Sequence, residues 1–211
     1  MRIGVCSWSL QPCDPHDLVD KIRATGLHLV QLALEPLRST AWSGVETLEA
    51  LEHAGVTAAS AMMEMRGEDY STLESIKLTG GVRPDAHWEW NFAAARQNTV
   101  IVRRLGVGLV TLHAGFLPHE REDPLRSTMI KRLQALVDIF ARHDVKVALE
   151  TGRESAKTLL DVLAELERPE VGVNFDPANM ILYGTGEETG SSVMSPHRET
   201  MARAASAPTA A

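Results

Sequence analysis

Short runs rich in Val, Ile and Leu recur along the chain, and after nearly every one the apolar positions change to a return every three or four residues. The runs predict strands at 2–8 (RIGVCSW), 28–34 (HLVQLAL), 56–64 (VTAASAMME), 107–113 (VGLVTLH), 145–150 (VKVALE) and 171–176 (VGVNFD). Most are continuously apolar rather than alternating, as expected of strands buried on both faces. Strand runs that alternate with helical stretches are the pattern of a parallel sheet covered by helices.

The helical stretches carry their own boundaries. After the first run, Asp14 is an N-cap, Pro15 occupies the first helical position and Gly26 ends the turn. In GVETLEALEHAG, Leu48, Leu51 and Ala54 share a face and Gly55 terminates it. A long helix is predicted from Pro84 to Leu105 with Trp88, Phe92, Ala95 and Val102 inward. Another spans Asp123 to His143 on Ile130, Leu133, Leu136, Val137 and Phe140. Ser155 caps the helix before the sixth strand. Residues 65–83 are too long and polar for an ordinary connection and predict a functional loop or lid. Beyond Gly186, residues 187–211 lose both periodicities and turn to Ala, Ser, Thr and Pro, so a disordered tail is expected after a single domain at 1–186.

Six βα units suit either an open doubly wound sheet or a (β/α)8 barrel. The first usually has a Gly-rich turn after its first strand, and here that turn is SWSLQPCDP. GVG at 106–108 precedes a strand, and GTG at 184–186 lies in loop-like sequence, so nucleotide binding is not expected. With 21 Lys and Arg against 28 Asp and Glu the formal charge is -7, which disfavours nucleic-acid and anionic-membrane partners. Cys6 and Cys13 form no C-x-x-C pair and read as free thiols. No charged leader or membrane-length apolar run is present, and a soluble cytoplasmic protein is expected.

In a βα barrel, reacting groups project from the carboxyl ends of the strands. The residues at those ends are Trp8, Glu35, Glu64, His113, Glu150 and Asp176. Glu150 and Asp176 lie one βα unit apart, so on adjacent strands their carboxylates can converge on one hard divalent cation. Each has a plainer reading as a helix cap or a partner of loop amides. His113 can equally be a buried imidazole bonded to a carbonyl, Trp8 a packing residue, and Glu35, next to Pro36, a solvated loop residue.

With GVCSWSL, GGVRPDAHWEW, LGVGLVTLHAGF, VALETG and VGVNFDPANMILYG in this order, the chain resembles the xylose-isomerase-like sugar phosphate isomerase/epimerase superfamily of TIM barrels over residues 1 to 186. The resemblance implies an α/β fold of the (β/α)8 type, incomplete at about six units. It implies one divalent metal (Mn2+, Mg2+ or Zn2+) on Glu150 and Asp176, with Glu150 also acting as acid/base beside a sugar carbonyl. His113, Asn179 and Trp8 become substrate contacts, and the partner is a small sugar or sugar phosphate. Family members take a His and a Glu from strands seven and eight. The chain has neither strand, so a truncated or frameshifted barrel is expected, with dimerisation through its open edges. Three other readings follow: an inactive binding remnant, a polyol dehydratase, and a zinc abasic-site endonuclease. The last is disfavoured because Asn179 stands where that pattern has His.

Overall fold

A computed structural model describes residues 2–152 and 154–183, which includes every predicted strand; the predicted tail at 187–211 lies outside the described residues. The strands are β1 (Val5–Cys6), β2 (Leu29–Ala33), β3 (Thr57–Met63), β4 (Leu109–His113), β5 (Lys146–Glu150) and β6 (Val171–Asn174). They form one parallel sheet in the order β1-β2-β3-β4-β5-β6. A doubly wound sheet reverses direction at a switch point. This order never reverses, and it is the progression of a TIM-type barrel.

The intervening helices are α1 (Ser7–Leu10), α2 (Pro15–Ala24), α3 (Glu35–Arg38), α4 (Gly44–Ala54), α5 (Leu73–Thr79), α6 (Asp85–Arg104), α7 (Pro124–Ala141), α8 (Ala156–Leu166) and α9 (Pro177–Tyr183). Their starts follow from side chains that satisfy otherwise orphaned first-turn amides. Asp14 accepts from Asp17 N, Ser43 from Glu46 N and Ser155 from Thr158 N. Gly55 ends α4 in the left-handed region, at φ 64°. One apolar cluster joins β3, β4 and β5 to α6, α7 and α8 around Leu112, Leu133 and Phe140. A second joins β2 to α2 and α4 around Leu18, Ile22 and Leu32. Fully burying each such side chain contributes about 1.5–3 kcal/mol. No helix among the described residues is long and apolar enough to cross a membrane.

Two expectations change. The first strand is only Val5–Cys6, and the chain turns helical at Ser7. The Ser7 hydroxyl, buried, accepts from Ala33 N at 2.8 Å, so a side chain takes up an amide at the end of β2. Residues 65–83 are not an open loop: Thr72 and Ser75 form a reciprocal capping box that starts α5.

Candidate active site at the carboxyl ends of the strands

The sheet register aligns the unusual residues. His113 pairs with Glu150, and Glu150 with Asn174, so three polar residues on β4, β5 and β6 share one rung at the carboxyl end. Below that rung the pairs are apolar, Leu112 with Leu149 and Leu149 with Val173.

Glu150 and Asp176 stand together, each held by the chain around it. Thr151 Oγ1 accepts from Asp176 N at 2.8 Å and donates to Asp176 O at 3.2 Å, which locks the end of β6 to the end of β5. Asp176 Oδ1 accepts from Ala178 N at 2.8 Å and Asn179 N at 3.2 Å, opening α9. Asn179 Nδ2 then donates to Glu150 Oε1 at 2.8 Å and so orients that carboxylate. The Glu150 carboxyl is pushed above its ordinary value, first by burial and then by the negative charge of Asp176; His113 and the Asn179 bond oppose this.

His113, buried, has the one partner that the sequence did not disclose. Its Nδ1 lies 2.7 Å from Glu68 Oε1, in the connection after β3, and the two side chains are 9% and 6% exposed. Glu68 Oε1 also accepts from Gly81 N at 2.9 Å, and Glu68 Oε2 from the Tyr70 hydroxyl at 3.1 Å. Burial disfavours the imidazolium, but the Glu68 bond and the charges of Glu68, Glu154 and Glu150 outweigh it and raise the His113 pKa. The connection reaches β4 because two glycines let it. Gly81 has φ +63°, and a Cβ there would lie 2.1 Å from the Ala114 carbonyl carbon. A Cβ on Gly80 would lie 2.9 Å from His113 Cε1. Any larger residue at either position would displace the chain from the His113 ring.

The other strand-end residues make no hydrogen bond to this group among the described residues. Glu35 opens α3 and is not a solvated loop residue: its Oε1 accepts from Glu64 N at 2.8 Å, and its Oε2 is buried without a hydrogen-bond partner among the described residues. Burial raises the pKa of Glu35, and raises that of Glu64 with help from the Glu68 charge. Trp8 lies in α1 and is 41% exposed. Cys6 and Cys13 are free thiols.

The donor set bears on a metal. Beyond the bonds just described, the Glu150 and Asp176 carboxyls meet each other in a side-chain hydrogen bond, a contact that a cation between them would replace. Two adjacent hard oxygen donors suit Mg2+ or Mn2+, which complete their shells with water and substrate oxygens. Among the described residues no three His, Cys, Asp or Glu side chains converge as a ready-made metal cage.

The family description "xylose isomerase-like TIM barrel" matches residues 19–206. The chain belongs to that family. Among solved structures, a xylose isomerase domain protein from Planctomyces limnophilus is 29% identical, with a TM-score of 0.74 over 87% of this chain and 66% of that one. A D-allulose 3-epimerase from Methylomonas sp., in complex with D-allulose, is 16% identical, with a TM-score of 0.63 over 87% of this chain and 65% of its own. A xylose isomerase-like TIM barrel protein from Mycobacterium smegmatis, in complex with magnesium, is 15% identical, with a TM-score of 0.60 over 86% and 66%. The chain thus spans just under two thirds of the length of these relatives. No curated protein matches it.

Proposed function

We propose that the chain is, or is part of, a divalent-metal-dependent sugar isomerase or epimerase that moves a proton at the carbon next to a carbonyl. The observation that carries this reading is the Glu150–Asp176 pair: two carboxylates on adjacent strand ends, one of them oriented by Asn179 and raised in pKa. A carboxylate shifted upward is a better base at neutral pH than a free one. Glu150 takes the proton from the carbon beside the carbonyl, the C–H electron pair becomes the new C=C bond, and the carbonyl π pair moves onto oxygen. Returning the proton to the former carbonyl carbon, as the hydroxyl proton of the first carbon passes to the former carbonyl oxygen and a new C=O forms at the first carbon, gives the isomer; returning it to the opposite face of the first carbon, as the original C=O re-forms, gives the epimer and requires a second acid. Glu150 and Asp176 would hold the cation, which when bound offsets negative charge on the substrate oxygens. His113 is fixed at Nδ1 by Glu68, which would leave Nε2 as the ring atom to meet a substrate hydroxyl. The epimerase solved with D-allulose and the relative solved with magnesium support both the substrate class and the metal.

A sugar-binding module without catalysis is the second reading, favoured by the presence of only two metal-facing carboxylates among the described residues. Calorimetric titration with Mn2+ and Mg2+ separates them. The enzymatic reading expects binding tighter than about 1 mM, lost in Glu150→Gln and Asp176→Asn. Absence of binding to the unsubstituted chain would leave only the second reading.

A further inference from the structure

The connections that follow β3, β4 and β5 line a half-open cleft of about 350 Å3, bounded among others by Lys77, Arg83, Phe116, Asp123 and Glu154. That volume is within the range of small-ligand sites. Two of its lining residues reach toward the proposed reaction centre. Phe116 meets the His113 ring edge-on, with centroids 5.9 Å apart. Glu154 Oε2 accepts from the amide of Gly152, two residues past Glu150.

The charges on its wall are unequally engaged. Both acids are turned to backbone amides: Asp123 Oδ1 accepts from Leu125 N at 2.8 Å, and Glu154 accepts from Leu117 N at 3.3 Å and Gly152 N at 3.2 Å. The two cations have little to hold. Arg83 donates from Nη1 to Lys77 O at 3.2 Å, although a guanidinium carries five N–H donors. Lys77 Nζ has no hydrogen-bond or ion-pair partner among the described residues. A basic residue in the last turn of a helix also complements its dipole, but α5 is only seven residues long and leaves these donors free.

We infer that this cleft is an anion subsite, in which Lys77 and Arg83 hold the phosphate or carboxylate group of a sugar whose carbonyl end is presented to Glu150. The inference rests on the proposed isomerase or epimerase reading and narrows its substrate to an anionic sugar. Arg offers parallel N–H donors that match two oxygens of phosphate or carboxylate, and Lys adds a point charge.

Calorimetry on the full chain at low ionic strength tests this with inorganic phosphate and D-gluconate as separate probes. Binding of phosphate alone identifies a phosphate ester as the source of the anion, and binding of gluconate alone a carboxylate; either result supports the subsite. Lys77→Met and Arg83→Met are each expected to weaken it by about tenfold or more, the value of one charge-assisted bond. Arg83→Lys, which keeps the charge, is expected to retain most of the binding. Should Arg83→Met fail to fold, Lys77→Met on the surface of α5 decides alone. The subsite is overturned if neither probe binds, or if Lys77→Met binds as the unsubstituted chain does. Anion binding without Mn2+ binding would retain the subsite and remove the isomerase reading; the reverse would retain that reading with a neutral sugar.

Discussion

Glu68 Oε1 and His113 Nδ1 stand 2.7 Å apart, and that bond joins the connection after β3 to the last residue of β4. Because both side chains are almost fully enclosed, neither has water to fall back on. Glu68→Ala is therefore expected to cost about 3 kcal/mol of unfolding free energy, the scale of a broken buried pair. The loss depends on pH. The folded His113 pKa is raised above its ordinary value of 6.5, so the pair's contribution is fully present below 6.5 and fades as pH rises through the folded value. Urea unfolding of both proteins at pH 5.5 and 8.5 should show the larger gap at the lower pH. An equal gap would mean that the imidazole gains no charge from the pair.

The glycine contact that admits this connection makes a second prediction. Gly81→Ala combines a left-handed backbone with a Cβ placed inside the Ala114–Gly115 peptide. A loss of about 2 kcal/mol or more is expected. The same substitution should shift the ring-nitrogen resonances of His113, which a purely local strain would leave in place.

Glu35 contributes in the opposite sense. Burial raises its folded pKa, so its ionisation favours the unfolded chain once pH exceeds the ordinary value of 4.5. Glu35→Gln keeps an oxygen for the Glu64 amide and removes the charge. Thermal melts should give the variant a higher Tm at pH 7 and a much smaller advantage at pH 4. Equal Tm values at pH 7 would show that Arg38, 3.8 Å away, already compensates the charge.

Asn98 on α6 is fully buried, and neither end of its amide finds a hydrogen-bond partner among the described residues. Replacing an unsatisfied polar group by an apolar one of similar shape recovers the desolvation cost. Asn98→Leu is expected to stabilise the chain by about 1–2 kcal/mol. A destabilisation in guanidinium unfolding would show that the amide is satisfied after all.

What could be read in the sequence divides by range. Asp14, Gly55 and Ser155 mark helix ends through neighbours a few positions away, so their signals are local and the structure reproduces them. The stripe Ile130, Leu133, Leu136, Val137 and Phe140 is buried throughout, because apolar periodicity reports directly on a core-facing side. In α6 the same reasoning picks Trp88 and Phe92, which are only half-buried against the core, whereas Ala95 and Val102 are buried as expected and the buried face also includes Asn91 and Asn98, which composition assigns to the surface. Glu68 belongs to a polar stretch with no periodicity, and its partner is a strand away in the chain. The one available signal was the Gly80–Gly81 pair, which marks a close backbone approach. For Glu150 and Asp176, placement at strand ends brought the right neighbours together, while Asn179, the residue that orients Glu150, entered through the resemblance.

The strand order repeats the chain order without a break. A nascent polypeptide can therefore add each βα unit to an edge already built, with no strand waiting for a later one to be slotted between it and its neighbour. Domains begin forming from the N-terminal end as synthesis proceeds. The core itself closes later: Leu112 of β4 shares one apolar cluster with Val147 of β5 and Val162 of α8, so the edge that carries His113 is buried only once the unit that carries Glu150 has been added.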